Sequence, residues 1–210
     1  MTACLLCHSI KTEQKCTIDN IVFLHCNNCQ AVFKNPNHFL SAKAEKERYL
    51  LHQNNVDDKH YQKFVSPIVN AVQLNYSIND KGLDFGAGTG PVISKLLSKK
   101  GYSINLYDPF FYPDTVVLKK KYNFIICCEV IEHFQSPDKD FKLLNNLLDF
   151  GGTLFCMTEL IPKNIPFEKW HYIRDKTHII FYSEACIFWI KENLGFTEVN
   201  IDGRLIEFKK

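Results

Sequence analysis

The stretch Leu83-Asp84-Phe85-Gly86-Ala87-Gly88-Thr89-Gly90, followed eighteen residues later by Asp108, constrains the fold of this chain more than any other feature. It reads as the end of a buried strand, a glycine turn and the start of a helix. The next apolar run, Ile104-Asn105-Leu106-Tyr107-Asp108, closes on a carboxylate. Alternating glycines let the backbone approach a ligand closely and aim free helix N–H groups at it. A carboxylate ending the following strand can accept both hydroxyls of a ribose. Residues 81–108 therefore look like half of a nucleoside-binding α/β fold. G-x-G-x-G alone is a weak signal, because structural turns also use glycine. The flanks strengthen it: the segment from Pro91 to Lys100 has Pro near its start, lysines in its last turn and Gly101 just past its end.

A second constellation lies at the start of the chain. Cys4-x2-Cys7, eighteen residues, and Cys26-x2-Cys29 have the spacing of a four-thiolate zinc ribbon. Each C-x-x-C pair brings two thiolates to one side of a tight turn, and two such turns close a tetrahedron. His8 and His25 flank the pairs as substitute ligands. Cys16, between the knuckles, reads as a packing or surface residue. Cys127, Cys128, Cys156 and Cys186 fall in apolar runs, where cysteine behaves as a small hydrophobe. Nine cysteines with no secretion-type leader in Met1 to Ile10 argue for thiols and metal over disulfides, and for a cytoplasmic setting. No apolar run is long enough for a membrane span. A net charge of +2 excludes a strongly basic nucleic-acid binder on charge alone.

The 210 residues fit one good core plus a small appended module. Residues 1–36 form the ribbon, and 37–80 a helical connector capping the pocket. Ser41 caps a helix from Ala42 to about His52, and a second helix runs from near Asp57 to Leu74, bent at Pro67. Residues 81–210 form the main domain. Its expected strands are 82–85, 103–108, a brief one at Thr115–Leu118, 123–128, 153–158, 196–201 and 204–208. Phe110 to Lys121 is too short for a full crossover helix. The 160–182 loop is long enough to be a functional lid. Asp202-Gly203 between two alternating runs signals a terminal hairpin.

The turn D-x-G-x-G-x-G at Asp84, together with the closing hairpin, resembles class I S-adenosylmethionine (SAM) methyltransferases and departs from the G-x-G-x-x-G of dinucleotide-binding folds. Cys26-x2-Cys29-x3-Phe33-Lys34-Asn35-Pro36 looks like the second knuckle of bacterial methyltransferases that carry a zinc ribbon before the catalytic domain. Tyr49-x2-His52-Gln53-Asn54 and Tyr107-Asp108-Pro109-Phe110 resemble a subgroup of these with unassigned substrate. The resemblance implies an α/β fold with a Rossmann-like seven-stranded sheet, a terminal antiparallel hairpin and a small N-terminal zinc ribbon. It implies SAM as cofactor and zinc as a structural ion at Cys4, Cys7, Cys26 and Cys29. Gly86, Ala87 and Gly88 would line the methionine part of SAM. Asp84 would organise the turn, Asp108 would hold the ribose hydroxyls, and Pro109 would lie beside the adenine. Cys128 and Glu129 would border the methyl group. Tyr49 and His52 would close the pocket, unless they only pack the helix against the sheet.

Glu129-Val130-Ile131-Glu132-His133 places two carboxylates and an imidazole at i, i+3 and i+4, on one face if the turn is helical. His178 lies downstream, before a helix. An E-x-x-E-H turn plus a later histidine resembles the divalent-metal site of small-RNA 2′-O-methyltransferases and of ubiquinone-pathway O-methyltransferases. Glu129, Glu132, His133 and His178 are thus candidate ligands for a second divalent metal, and His133 and His178 candidate catalytic bases. The same E-x-x-E-H also occurs where it merely orders the turn. Trp170, Tyr172, Phe181 and Tyr182 would shape an aromatic acceptor pocket or fill the core. The reading is a methyltransferase acting on an oxygen of a small molecule. A nucleic-acid methyltransferase, with Lys95, Lys99, Lys100 and Lys119 to Lys121 as a basic edge, is one alternative. A non-catalytic SAM-binding adaptor is another.

Overall fold

In a computed structural model, which describes residues 2–51 and 55–210, the apolar runs assemble into two sheets. The N-terminal segment contributes β1 (Thr12–Ile18), β2 (Ile21–Cys26) and β3 (Val32–Lys34), paired antiparallel in that order. Asp19 and Asn20 make the β1–β2 turn with positive φ, a conformation these two residue types tolerate well.

Two helices lead to the larger sheet. Ser41 caps α1 (Ala42–Leu50) by accepting from the Ala44 N–H, and Asp58 caps α2 (Lys59–Asn75) by accepting from the His60 N–H. α2 continues through Pro67. The proline cannot serve the Lys63 carbonyl, and the Ser66 hydroxyl donates to it instead at 2.8 Å.

The larger sheet contains β4 (Lys81–Phe85), β5 (Ser103–Tyr107), β6 (Tyr122–Cys128), β7 (Leu148–Met157), β9 (Glu198–Asp202) and β10 (Leu205–Lys209). Their order is β5-β4-β6-β7-β10-β9; the first four run parallel, and β10 is antiparallel to both β7 and β9. Among the described residues it has six strands, where the sequence predicts seven. Thr115–Lys119 is a 3-10 turn, capped by Asp114, and forms no strand. With only that turn between Asp108 and β6, the chain has no room for a crossover and an edge strand.

Alternation along β6 builds both faces. Phe124 and Ile126 point toward α2 and α3 (Val92–Ser98), packing with Val65, Ile68, Val72, Val92 and Leu97. Ile125 and Cys127 point the other way. There they meet α4 (Pro137–Leu147) and α5 (Glu184–Asn193) through Phe141, Leu144, Ile187 and Ile190. Cys4, Cys26, Cys29 and Phe33 belong to this second core. The ribbon is therefore fused to the α4–α5 side.

The fusion is also made by hydrogen bonds. β8 (Ile180–Phe181), from the 160–182 segment, pairs antiparallel with β3 as the fourth strand of the small sheet. A third core joins Phe23 and Val32 of the ribbon to Phe167, Trp170, Tyr172, Ile173 and Phe181. The expected lid is thus seated on the ribbon. No helix among the described residues is long and apolar enough to cross a membrane.

Candidate active site

The carboxyl ends of β4, β5 and β6 open into a cavity of about 840 Å³. Its floor is the glycine turn. Gly86 and Gly88 have φ of +81° and +60°, and a Cβ on Gly86 would lie 2.4 Å from a Val130 methyl carbon. Glycine is thus required at 86 both by backbone angle and by space. Gly86→Ala should cost stability by about 1–3 kcal/mol, because it combines left-handed strain with that clash. Thermal denaturation checks this; an unchanged melting temperature would contradict it.

Asp84 and Asp108 hold the turn from below. The Ser94 hydroxyl donates to the buried Asp84 carboxylate at 2.6 Å, and burial pushes that carboxyl up to about 6. Asp108 is buried and accepts from three main-chain N–H groups: Gly88 at 3.0 Å, Phe110 at 2.8 Å and Phe111 at 3.0 Å. It joins the glycine turn to the Pro109–Phe111 corner, which the Asp108–Tyr112 bridge closes. Ala87, Pro109, Phe110 and Cys128 line the same cavity.

Tyr49 of α1 reaches the cavity as well. Its hydroxyl donates to Glu45 at 2.9 Å, and its ring meets Phe110 and, edge-on, His133. His52 lies outside the described residues.

After β6, the E-x-x-E-H turn divides its residues. Glu129 directly follows β6 with φ of +54°, and both its oxygens lie 2.8 Å from Arg204 Nη2 in the β9–β10 turn. Glu132 is fully buried in a 3-10 turn, Ile131–His133, and one of its oxygens has no hydrogen-bond partner. The Tyr172 hydroxyl donates to the other Glu132 oxygen and lies 3.1 Å from Glu129. Burial raises both carboxyls above the usual range; Glu132 adds to this at Glu129, against the pull of Arg204.

His133 and His178 stand together, with ring centroids 4.9 Å apart, and both line the cavity. His133 Nδ1 lies 3.0 Å from the Thr177 carbonyl, and His178 Nδ1 lies 2.7 Å from the Tyr172 carbonyl. A carbonyl oxygen only accepts, so each Nδ1 carries the proton and each Nε2 keeps a lone pair. Burial lowers both imidazoles; at His178 the adjacent His133 adds to this and takes it to about 3.

Two groups of potential metal donors come together among the described residues. One is Cys4, Cys7, Cys26 and Cys29, with donor atoms all within 4.8 Å; Cys4–Cys29 and Cys7–Cys26 sulfurs lie 3.5 and 3.4 Å apart. The other is Glu132, His133 and His178, within the same limit. Glu129, expected as a fourth member, is held by Arg204 instead. His8 and His25 stay out of the cysteine group and face Asp138 and Glu13. Of the four aromatic candidates, Tyr172 reaches the cavity. Trp170 and Phe181 pack on the ribbon, and Tyr182 is buried with its hydroxyl on the Ile131 carbonyl. Arg204 and Tyr172, which govern the two carboxylates, carried no local signal of that role; pairing across the sheet end creates it.

The profile of the methyltransferase-domain family matches residues 27–201. The chain belongs to the methyltransferase family. Its fold is that of SAM-dependent methyltransferases. Human N-acetylserotonin methyltransferase, in complex with SAM, shares 12% identity over 80% of this chain and 57% of its own, with a TM-score of 0.54. An O-methyltransferase family protein from Burkholderia thailandensis shares 11% over 79% and 61%, at 0.53. A SAM-dependent methyltransferase from Archaeoglobus fulgidus shares 17% over 73% and 100%, at 0.52. The methyltransferase thus spans less than two thirds of the length of the first two. At these identities the likeness is one of fold. No curated protein matches the sequence.

Proposed function

We propose that this methyltransferase moves the methyl group of SAM to a hydroxyl oxygen of a small molecule held between the glycine turn and the His133–His178 pair. The observation that carries the reading is the pair itself: two neutral imidazoles with Nε2 lone pairs, lining the same cavity as the glycine turn. The acceptor oxygen attacks the methyl carbon, the S–CH3 bond breaks, and the sulfonium becomes a thioether. The hydroxyl proton must leave, and a neutral histidine Nε2 can take it. Names of similar folds fit an oxygen acceptor: one is an O-methyltransferase family protein. The test is a panel of hydroxyl, amine and thiol compounds with radiolabelled SAM. Methylation of amines or thiols alone would overturn the oxygen assignment.

In this reading Gly86, Ala87 and Gly88 face the methionine part of SAM, Asp84 braces the turn through Ser94, and Pro109 lies beside the adenine. Cys128 and Glu129 border the methyl group, and Tyr49 closes the cavity. Asp108 serves the ribose hydroxyls while bracing Gly88 and Phe110. Asp108→Ala should therefore weaken SAM binding by more than tenfold, about 1.4 kcal/mol, since it removes a charged acceptor and frees three N–H groups. Calorimetry giving unchanged affinity would refute the assignment.

Residues 1–36 act as a ribbon, 37–80 as a connector and 81–210 as the transfer domain. The four thiols fit zinc: tetrahedral Zn–S bonds of about 2.3 Å place sulfurs about 3.8 Å apart, close to the separations here.

A second divalent cation is favoured at Glu132, His133 and His178. Donor atoms of the three residues lie within 4.8 Å of one another, one Glu132 oxygen has no hydrogen-bond partner among the described residues, and both Nδ1–H groups are anchored to carbonyls, as ligand imidazoles usually are. A cation there would acidify an acceptor hydroxyl. Burial keeps both imidazoles neutral, the form in which a histidine binds a metal. Cobalt(II) titration checks it: a visible-region signature lost in His133→Ala is expected, and none in the native protein would exclude the site.

A further inference from the structure

Lys34 ends β3 with 1% exposure, deep between the ribbon and the histidine segment. A buried ammonium is costly, and methionine would fill similar space without that cost. The lysine is held by what it reaches. Its Nζ donates to the Lys176 carbonyl at 2.6 Å, and its main-chain N–H donates to the Ile179 carbonyl at 2.8 Å. One ribbon residue therefore grips the chain on both sides of His178. From the opposite side, the Ile179 N–H donates to the Glu132 carbonyl at 2.8 Å, and His133 Nδ1–H donates to the Thr177 carbonyl. Asp175 turns the segment at its start by accepting from the Thr177 N–H and hydroxyl, and Arg48 of α1 lies 3.5 Å from it. Segment 176–179 is thus fixed between β3 and the Ile131–His133 turn.

We propose that Lys34 is a positioning residue, through which the cysteine ribbon locks segment 176–179 so that His133 and His178 present Nε2 to the cavity. This rests on the role given above to the two histidines. Lys34 does not itself line the cavity, and the cavity-lining groups it acts on, Glu45, His133, Asp175 and His178, do not include the glycine turn.

The test compares Lys34→Met and Lys34→Arg with the native full-length protein. In ¹⁵N-histidine-labelled protein, the two carbonyl-bound Nδ1–H protons should give protected downfield resonances. In Lys34→Met, zinc content and SAM affinity should stay within twofold of native. The Nδ1–H protons should exchange at least tenfold faster, and turnover should fall at least tenfold with the KM for SAM unchanged. Lys34→Arg, which keeps a cationic donor, should recover most of both. Native exchange rates in Lys34→Met would overturn the proposal, as would parallel losses of SAM affinity and zinc. If Lys34→Met does not fold, Lys34→Gln is read by the same criteria. Should the native protein methylate no hydroxyl acceptor, the O-methylation reading fails, and the exchange comparison still decides the role of Lys34.

Discussion

His178→Ala is expected to lower turnover about a hundredfold or more while SAM affinity stays near native. A hundredfold is about 2.7 kcal/mol of transition-state stabilisation. The expectation follows from where the imidazole sits. Its Nδ1–H is spent on the Tyr172 carbonyl, and its ring stands 4.9 Å from His133 on the cavity wall. The hydrogen bonds of Asp108 go to Gly88, Phe110 and Phe111, and not to this imidazole. Whether Nε2 takes the acceptor proton or binds a cation, the loss falls on the chemical step and not on cofactor binding. Alanine also leaves the buried Tyr172 carbonyl without its donor, at a cost of about 1–3 kcal/mol. A lower melting temperature alone is therefore uninformative. Turnover within fivefold of native, despite that lower melting temperature, would reduce His178 to a packing residue.

The glycine-turn half of this cavity was legible because local rules govern it. A glycine that must adopt positive φ beside Val130, a strand-ending Asp108 and a helix after the turn all leave marks within thirty residues of chain. The histidine half was only partly legible. His133 and His178 were found by type and spacing, and the structure brings them together. What could not be read was the division of the E-x-x-E-H residues. Glu129 leaves the group because Arg204 arrives from the far hairpin, across a pairing set by β7, β10 and β9. The same holds for Lys34. A lysine closing a strand reads as a solvated end. It is buried because β8 completes the small sheet from far along the chain, with Val32 opposite Phe181 and Phe33 opposite Ile180. The seventh strand was expected from Val116, Val117 and Leu118, residues with fair strand character. Asp114 turns them into a 3-10 cap, and the short connection leaves no alternative.

Removing metal from the cysteine ribbon should reach further than the ribbon. Its residues 1–36 on their own bury too little apolar surface, and structural zinc in small peptides supplies roughly 10–16 kcal/mol of folding free energy. From the sequence, chelation is expected to unfold the ribbon and spare most of 81–208. The packing narrows what is spared. Phe23 and Val32 are one side of the core whose other side is Phe167, Trp170, Tyr172, Ile173 and Phe181. Among the described residues β8 pairs with β3 alone, and the Gln30 carbonyl accepts from the cap residue of α5, Ser183, at 3.0 Å. Loss of the ribbon thus withdraws support from the whole 161–183 segment, which carries Tyr172 and His178. The core between α2, α3 and the sheet includes no ribbon residue, so the glycine turn and Asp108 should persist. Hydrogen exchange with and without a chelator reads this directly, with zinc followed by elemental analysis. Protection should fall in 4–34 and 161–183 together and remain in 82–98 and 122–128. Native protection of 161–183 in protein shown to be free of zinc would mean that the segment holds itself, and that the ribbon is a neighbour of the site without supporting it.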